Sequence, residues 1–222
     1  MKKSLNLSIA LLLITVFIVL GGCKKEQNTA YPDVTATADT IFGTLKYKQA
    51  LTSGTQVVAW PFGTATIKAY AGFNDVIASA AINADGTFLL ILPATLSGSY
   101  LSSLTEVANT QGGTITALPE TVRFLSAIQY KVEYSDNGTP NSFTTNLFTL
   151  KADLSVEKSY FYNFYDTDGT FAGTGTDGNI YNWTFTRGWG KVESFVISNS
   201  SNAFNSKSVT SIPTTAIWLN NQ

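Results

Sequence analysis

From Asp39 onward the apolar residues of this chain recur at every second position, segment after segment, and no other feature limits the fold as strongly. "TIFGTLKY" (Thr40 to Tyr47) is β-rich and interrupted by Gly43, and "TQVVAW" (Thr55 to Trp60) is a second apolar run. "TATIKAY" (Thr64 to Tyr70) alternates Ala65, Ile67 and Ala69 against Thr66 and Lys68. "DVIASAAI" (Asp75 to Ile82) and "TFLLILP" (Thr87 to Pro93) flank Asn83-Ala84-Asp85-Gly86, and Asp-Gly between two apolar runs signals a hairpin. Because successive side chains of a strand point to opposite faces, these segments predict short, half-buried strands.

After Pro93 the period changes. "SYLSSLTEVANT" (Ser99 to Thr110) spaces Leu101, Leu104 and Val107 three apart, which predicts a short amphipathic helix ended by "QGG" (Gln111 to Gly113). "VRFLSAIQYKVEY" (Val122 to Tyr134) returns to strand alternation, and Asp136-Asn137-Gly138 turns it into "FTTNLFTL" (Phe143 to Leu150). The expectation is an all-β body over residues 39–222, with a sub-boundary near 114–121. It would be a Greek-key β-sandwich, one unit or two abutting ones, with the short helix as a crossover or lid.

Three pieces, "IFGTL" (Ile41 to Leu45), "ATIKAY" (Ala65 to Tyr70) and "AINADGTFLLILP" (Ala81 to Pro93), resemble the carboxypeptidase regulatory-like or transthyretin-like domain. The resemblance implies a transthyretin-like or Ig-like sandwich and no chemistry. The later pair "YFYNFYDTDGTFAGT" and "YNWTFTRGWGKV" is similar to a terminal hairpin of small Bacteroidota lipoproteins, whose second segment reads "K-G-W-N-x-V"; Gly190 departs from that asparagine.

The segment before the body reads as a leader. Met1-Lys2-Lys3 is basic, and Ile9 to Leu20 is apolar except for Thr15, a length that suits a signal-peptide core and falls short of the roughly 20 residues of a spanning helix. Leu20, Gly21, Gly22 and Cys23 form "LGGC", which resembles a bacterial lipobox. That resemblance implies removal of residues 1–22 and a diacylglycerol thioether on Cys23, with no other cofactor. The alternative is a plain signal peptide or membrane helix with an incidental cysteine. At about 0.8 kcal/mol per buried methylene, two or three acyl chains would hold the protein at the membrane of the cell envelope, expected to be the outer membrane. Residues 23–38 read as the lipidated cysteine and its tether.

Charge and missing residue types exclude several functions. Removing Lys2 and Lys3 from the 14 basic residues leaves 12 against 15 acidic ones, a net charge of −3, which gives no reason to bind nucleic acid. The chain has no histidine, which removes Ser-His and Cys-His nucleophile systems. Glu106, Glu120, Glu133, Glu157 and Glu193 are candidate paired carboxylates, but nothing in the sequence pairs two of them. No phosphate-cradling glycine motif is present. No catalytic residue and no metal site is therefore expected, and the chain reads as a non-enzymatic binding or assembly module.

Two stretches invite ligands. "SYFYNFYD" (Ser159 to Asp166) and "NIYNWTF" (Asn179 to Phe185) place Tyr160, Tyr162, Tyr181 and Trp183 beside Asn163 and Asn182, which could form a glycan platform or an ordinary aromatic core. "DTDGTFAGTGTDG" (Asp166 to Gly178) offers Asp166, Asp168 and Asp177 to calcium but lacks the D-x-D-x-D-G spacing and the bidentate glutamate, so a hairpin turn is the simpler reading. The expected partners are the membrane and either a glycan or an envelope protein. A polysaccharide-uptake accessory and a fimbrial or adhesin-like subunit are the two alternatives, the latter needing a strand that can be donated.

Overall fold

The computed structural model of the chain describes residues 32–52, 54–72, 74–111, 114–117, 121–126, 128–198 and 203–220. The leader 1–22, the lipobox, Cys23, residues 24–31 of the tether and residues 118–120 of the expected sub-boundary lie outside the described residues.

Among the described residues the body is mostly β with one short α-helix. Its first strands are β1 (Val34–Thr35), β2 (Asp39–Leu51), β3 (Gly54–Ala59), β4 (Ala65–Ala71), β5 (Asp75–Ile82), β6 (Thr87–Leu92) and β7 (Thr95–Leu96). A 3-10 turn at Gly98–Tyr100 leads to β8 (Ser102–Ser103) and the helix α1 (Leu104–Gln111). There follow β9 (Thr114–Ala117), β10 (Arg123–Leu125), β11 (Gln129–Asp136), β12 (Thr139–Leu150) and β13 (Val156–Tyr165). The last are β14 (Gly169–Thr174), β15 (Ile180–Phe185), β16 (Gly188–Ser198), β17 (Ala203–Val209) and β18 (Ile217–Asn220).

Strands β11, β4, β5, β6, β2, β18 and β12 are hydrogen-bonded in that order, and β12 also pairs with β11, so the pairings close a barrel-like ring of seven. Each contact in the ring is antiparallel except that of β18 with β2. The two-residue period decides what lies inside. Ile41 and Leu45, Ile67 and Ala69, Phe88, Leu90 and Leu92, Tyr130 and Val132, and Trp218 are buried in one core. Each large apolar side chain so buried contributes about 1.5–3 kcal/mol.

The long strand β12 pairs with β11 through its first half and with β13 through its last residues. From β13 the same sheet runs on through β16, β17, β15, β14 and β9. A second core there holds Tyr165, Phe171, Tyr181, Trp183, Phe185, Val192 and Phe204, together with Leu104 and Ala108 of α1. Strand β13 serves both cores. Tyr160, Tyr162 and Phe164 point into the first and Tyr165 into the second, as alternation along one strand requires.

Three elements differ from the sequence expectation. Val34–Thr35, inside the stretch expected as tether, form β1 and pair with Leu96 and Thr95 of β7, with Val34 buried in the first core. The helix begins at Leu104, not Ser99, because Leu101 is drawn into the first core while Ser103 Oγ accepts from the Glu106 backbone N–H at 3.4 Å. The strand expected over Val122 to Tyr134 is two strands, β10 and β11. Phe124 packs in the second core and Ile128 in the first, so the chain crosses from one core to the other between them. The turn after β11 matches its sequence: Asn137 and Gly138 have φ of 49° and 83°, the two positive values that a tight type I′ hairpin demands.

Candidate functional site

An open cleft of about 310 Å³ lies on the flank of the first barrel, lined by Tyr70, Asn74, Val76, Gln129, Tyr130, Lys131 and Thr144. Register builds it. Tyr70 of β4 stands opposite both Val76 of β5 and Gln129 of β11, and Lys131 stands opposite Thr144 of β12. Because Ala69 and Ala71 point into the core, Tyr70 faces out, beside the bulge between β4 and β5. Lys68 and Glu133, on the next outward positions of β4 and β11, form an ion pair at 2.6 Å. Among the described residues Lys131 has no carboxylate within ion-pair distance. The cleft thus presents a phenol ring, two side-chain amides, a hydroxyl and an ammonium to solvent.

The four aromatics named from the sequence lie elsewhere and are covered. Tyr160, Tyr162, Tyr181 and Trp183 are only 3–5% exposed. Trp183 packs between Phe171 and Tyr181 at ring separations of 5.2 and 5.7 Å, and its indole N–H donates to Ser206 Oγ at 2.8 Å. Tyr162 lies under the Lys191 ammonium, 5.7 Å from its ring centroid, and Lys191 pairs with Asp39 at 3.1 Å. Burial pushes the Tyr181 phenol up to about 12, the hydrogen bond to Asn179 offsetting a part. The ring faces a sugar would need are occupied by neighbouring side chains.

A charge cluster with Glu193 buried and its two lysines at the surface joins β13, β16 and β17. The Glu193 side chain is 6% exposed; its Oε2 accepts from Lys158 Nζ at 3.1 Å and from the Tyr160 hydroxyl at 3.2 Å, and Lys207 Nζ stands 3.4 Å from Oε1. Burial pushes this carboxyl up, but the hydrogen bond and charge of Lys158, with Tyr160 and Lys207, outweigh it and leave the group below the usual glutamate range. The same contacts raise Lys158, first through the hydrogen bond to Glu193. This cluster ties three strands together rather than facing a cleft.

The aspartates considered for calcium are engaged separately, two across distant segments and one in a turn. Asp166 accepts from the Arg123 backbone N–H and from its Nε at 2.8 and 2.9 Å, Asp168 from the Arg187 N–H at 2.7 Å, and Asp177 from the Asn179 N–H at 3.0 Å. Among the described residues no three His, Cys, Asp or Glu side chains come together as a metal site would need.

Comparison with protein-family models, with curated proteins and with solved structures finds no match to this chain.

The sequence pattern carries one signal for the cleft. With Ala65, Ile67 and Ala69 on the inward set of "TATIKAY", Tyr70 is an aromatic ring on the outward set, where the core has no use for it. Gln129, Lys131 and Thr144 join it only through the pairing of β11 with β4 and β12, which no local pattern encodes.

Proposed function

We propose that this chain is a lipid-anchored cell-envelope protein, held at the outer membrane through Cys23, whose β body is a non-enzymatic binding or assembly module. One observation carries the reading: a basic, apolar and small-residue leader ends at the lone cysteine, and the first strand starts at Val34, eleven residues later. We assign the first lobe to the Greek-key, transthyretin-like or Ig-like sandwiches. Support comes from the order β4, β5, β6, β2, in which three hairpin-linked strands are flanked by the strand that precedes them.

The cleft favours a second, narrower reading, a glycan-binding accessory. Sugars stack an apolar C–H face on an aromatic ring and hydrogen-bond through their hydroxyls, and Tyr70 with Asn74, Gln129 and Thr144 offers that combination. Intact mass of the mature N-terminus tests the anchor. A cysteine at position 23 carrying acyl chains is the expected result, and Cys23→Ser should accumulate as uncut precursor. An unmodified N-terminus, or one at another position, overturns the reading.

A further inference from the structure

Three large apolar side chains form a ridge on the outer face of β2 and β6. Phe42, Leu89 and Ile91 are 73%, 52% and 58% exposed. Phe42 stands directly opposite Leu89 and Thr40 opposite Ile91, so Ile91 is the diagonal neighbour of Phe42 and the three side chains are contiguous. The core does not need them, since Ile41, Phe88 and Leu90 occupy the inward positions of the same strands. The outward residues next to the ridge on the two strands are Thr40, Thr44 and Thr87, and Lys46 is the next outward residue of β2.

We propose that this ridge rests on the lipid bilayer that holds the anchor, with the headgroup and upper acyl-chain region as its occupant; the inference depends on the lipid-anchor reading above. The path of the chain supports it. Thr35 is paired with Thr95, and these lie five and four residues from Thr40 and Ile91 along the chain. The ridge therefore begins within about 17 Å of the point where the chain from Cys23 joins the fold. From Cys23 to Val34 the chain spans at most about 37 Å, so an acylated cysteine keeps the ridge within reach of the membrane. Such a span gives the surface an effective concentration on the order of millimolar, enough to populate a contact too weak to act alone. A neutral threonine rim adds no charge to desolvate on approach.

A second copy of the chain is the competing occupant. The exposed apolar area is on the order of 300 Å², against about 800 Å² per partner in a standard interface, so the ridge by itself is too small for a stable dimer.

Full-length protein carrying p-benzoylphenylalanine at position 42, or at exposed Thr139 in the distant β11–β12 turn, would be reconstituted through its acyl chains into phosphatidylethanolamine/phosphatidylglycerol vesicles and irradiated. Lipid adducts should form about tenfold more at position 42 than at 139, and fall to the level of 139 in the Leu89→Ser/Ile91→Ser variant. Both changes are on the surface, and near-ultraviolet circular dichroism checks that this variant is folded. Equal lipid adducts at the two positions, or protein–protein adducts at position 42, overturn the proposal. The anchor is read separately by the mass of the N-terminal peptide. Should Cys23 prove unacylated, coupling its thiol to a maleimide lipid restores the tether, and the same comparison of positions 42 and 139 still decides for or against the ridge.

Discussion

A methyl group placed on Gly43 would stand 2.5 Å from Nε1 of Trp218 and 2.5 Å from Cζ of Phe88, so β2 carries no side chain where the indole of β18 crosses it. Trp218 is 2% exposed and meets Tyr130 and Phe88 edge to face at 4.7 and 5.5 Å. The glycine in "IFGTL" makes room for a side chain far along the sequence.

Gly43→Ala should therefore destabilise the protein by about 1–3 kcal/mol through overpacking. Trp218→Ala should cost about 3–5 kcal/mol through the cavity it leaves. Combined with Trp218→Phe, the alanine at 43 should cost measurably less than it does alone. Urea unfolding of the four species forms a double-mutant cycle, and strictly additive values would show that the two positions do not share this space.

Acid should weaken the contact between β13, β16 and β17. The Glu193 carboxyl is held below its ordinary value, so its contribution is present above the unfolded-state range near pH 4.5 and is lost as pH falls through the lower folded value. Glu193→Gln should cost about 1–2 kcal/mol at pH 7 and flatten the fall of stability between roughly pH 5 and 3. Melting temperatures of both proteins across that range would show the two curves converging at the acid end.

The buried phenols set the alkaline limit. Burial, then Tyr162 and Asp39, hold Tyr130 well above its ordinary range, and burial raises Tyr162 and Tyr165. Their stabilisation is complete below the unfolded tyrosine value near pH 10 and disappears as pH rises further. Tyrosinate absorbance from these rings should emerge together with unfolding rather than before it. Tyr130→Phe should be neutral or stabilising by about 1 kcal/mol, because the Tyr130 hydroxyl has no hydrogen-bond partner among the described residues.

If the cleft binds glycans, Tyr70→Ala should lower affinity by about tenfold with a near-unchanged melting temperature. Trp183→Ala should instead cost about 3–5 kcal/mol of stability, since its ring is core. Glycan-array binding measured beside thermal melting separates the two. Binding insensitive to Tyr70→Ala and Lys131→Ala would remove the cleft from consideration.

Local pattern carried much of the fold. In "TFLLIL" the inward Phe88, Leu90 and Leu92 are buried and the outward Leu89 and Ile91 exposed, as period two requires. Along "SYFYNFYD" Tyr160, Tyr162 and Phe164 enter one core and Tyr165 the other, a division that period two sets but whose partners no local pattern names. The break between β10 and β11 was hidden, because alternation continues across it while the chain changes partners. At Gly190 a Cβ would lie 2.9 Å from Tyr165 Cε2, so β16 carries no side chain where it passes that ring. The cleft needed cross-strand register, which arises from pairings distant in sequence.

The first barrel is completed by a strand that a ribosome makes long after the rest of it. Asn220 of β18 bonds to Lys48 of β2 across 172 residues, and until Ile217–Asn220 arrive there is a gap between β2 and β12 with no tryptophan to fill it. A chain that emerges from its amino end thus leaves this ring unsealed until Ile217–Asn220 are out, 172 residues separating the two partners of that last bond.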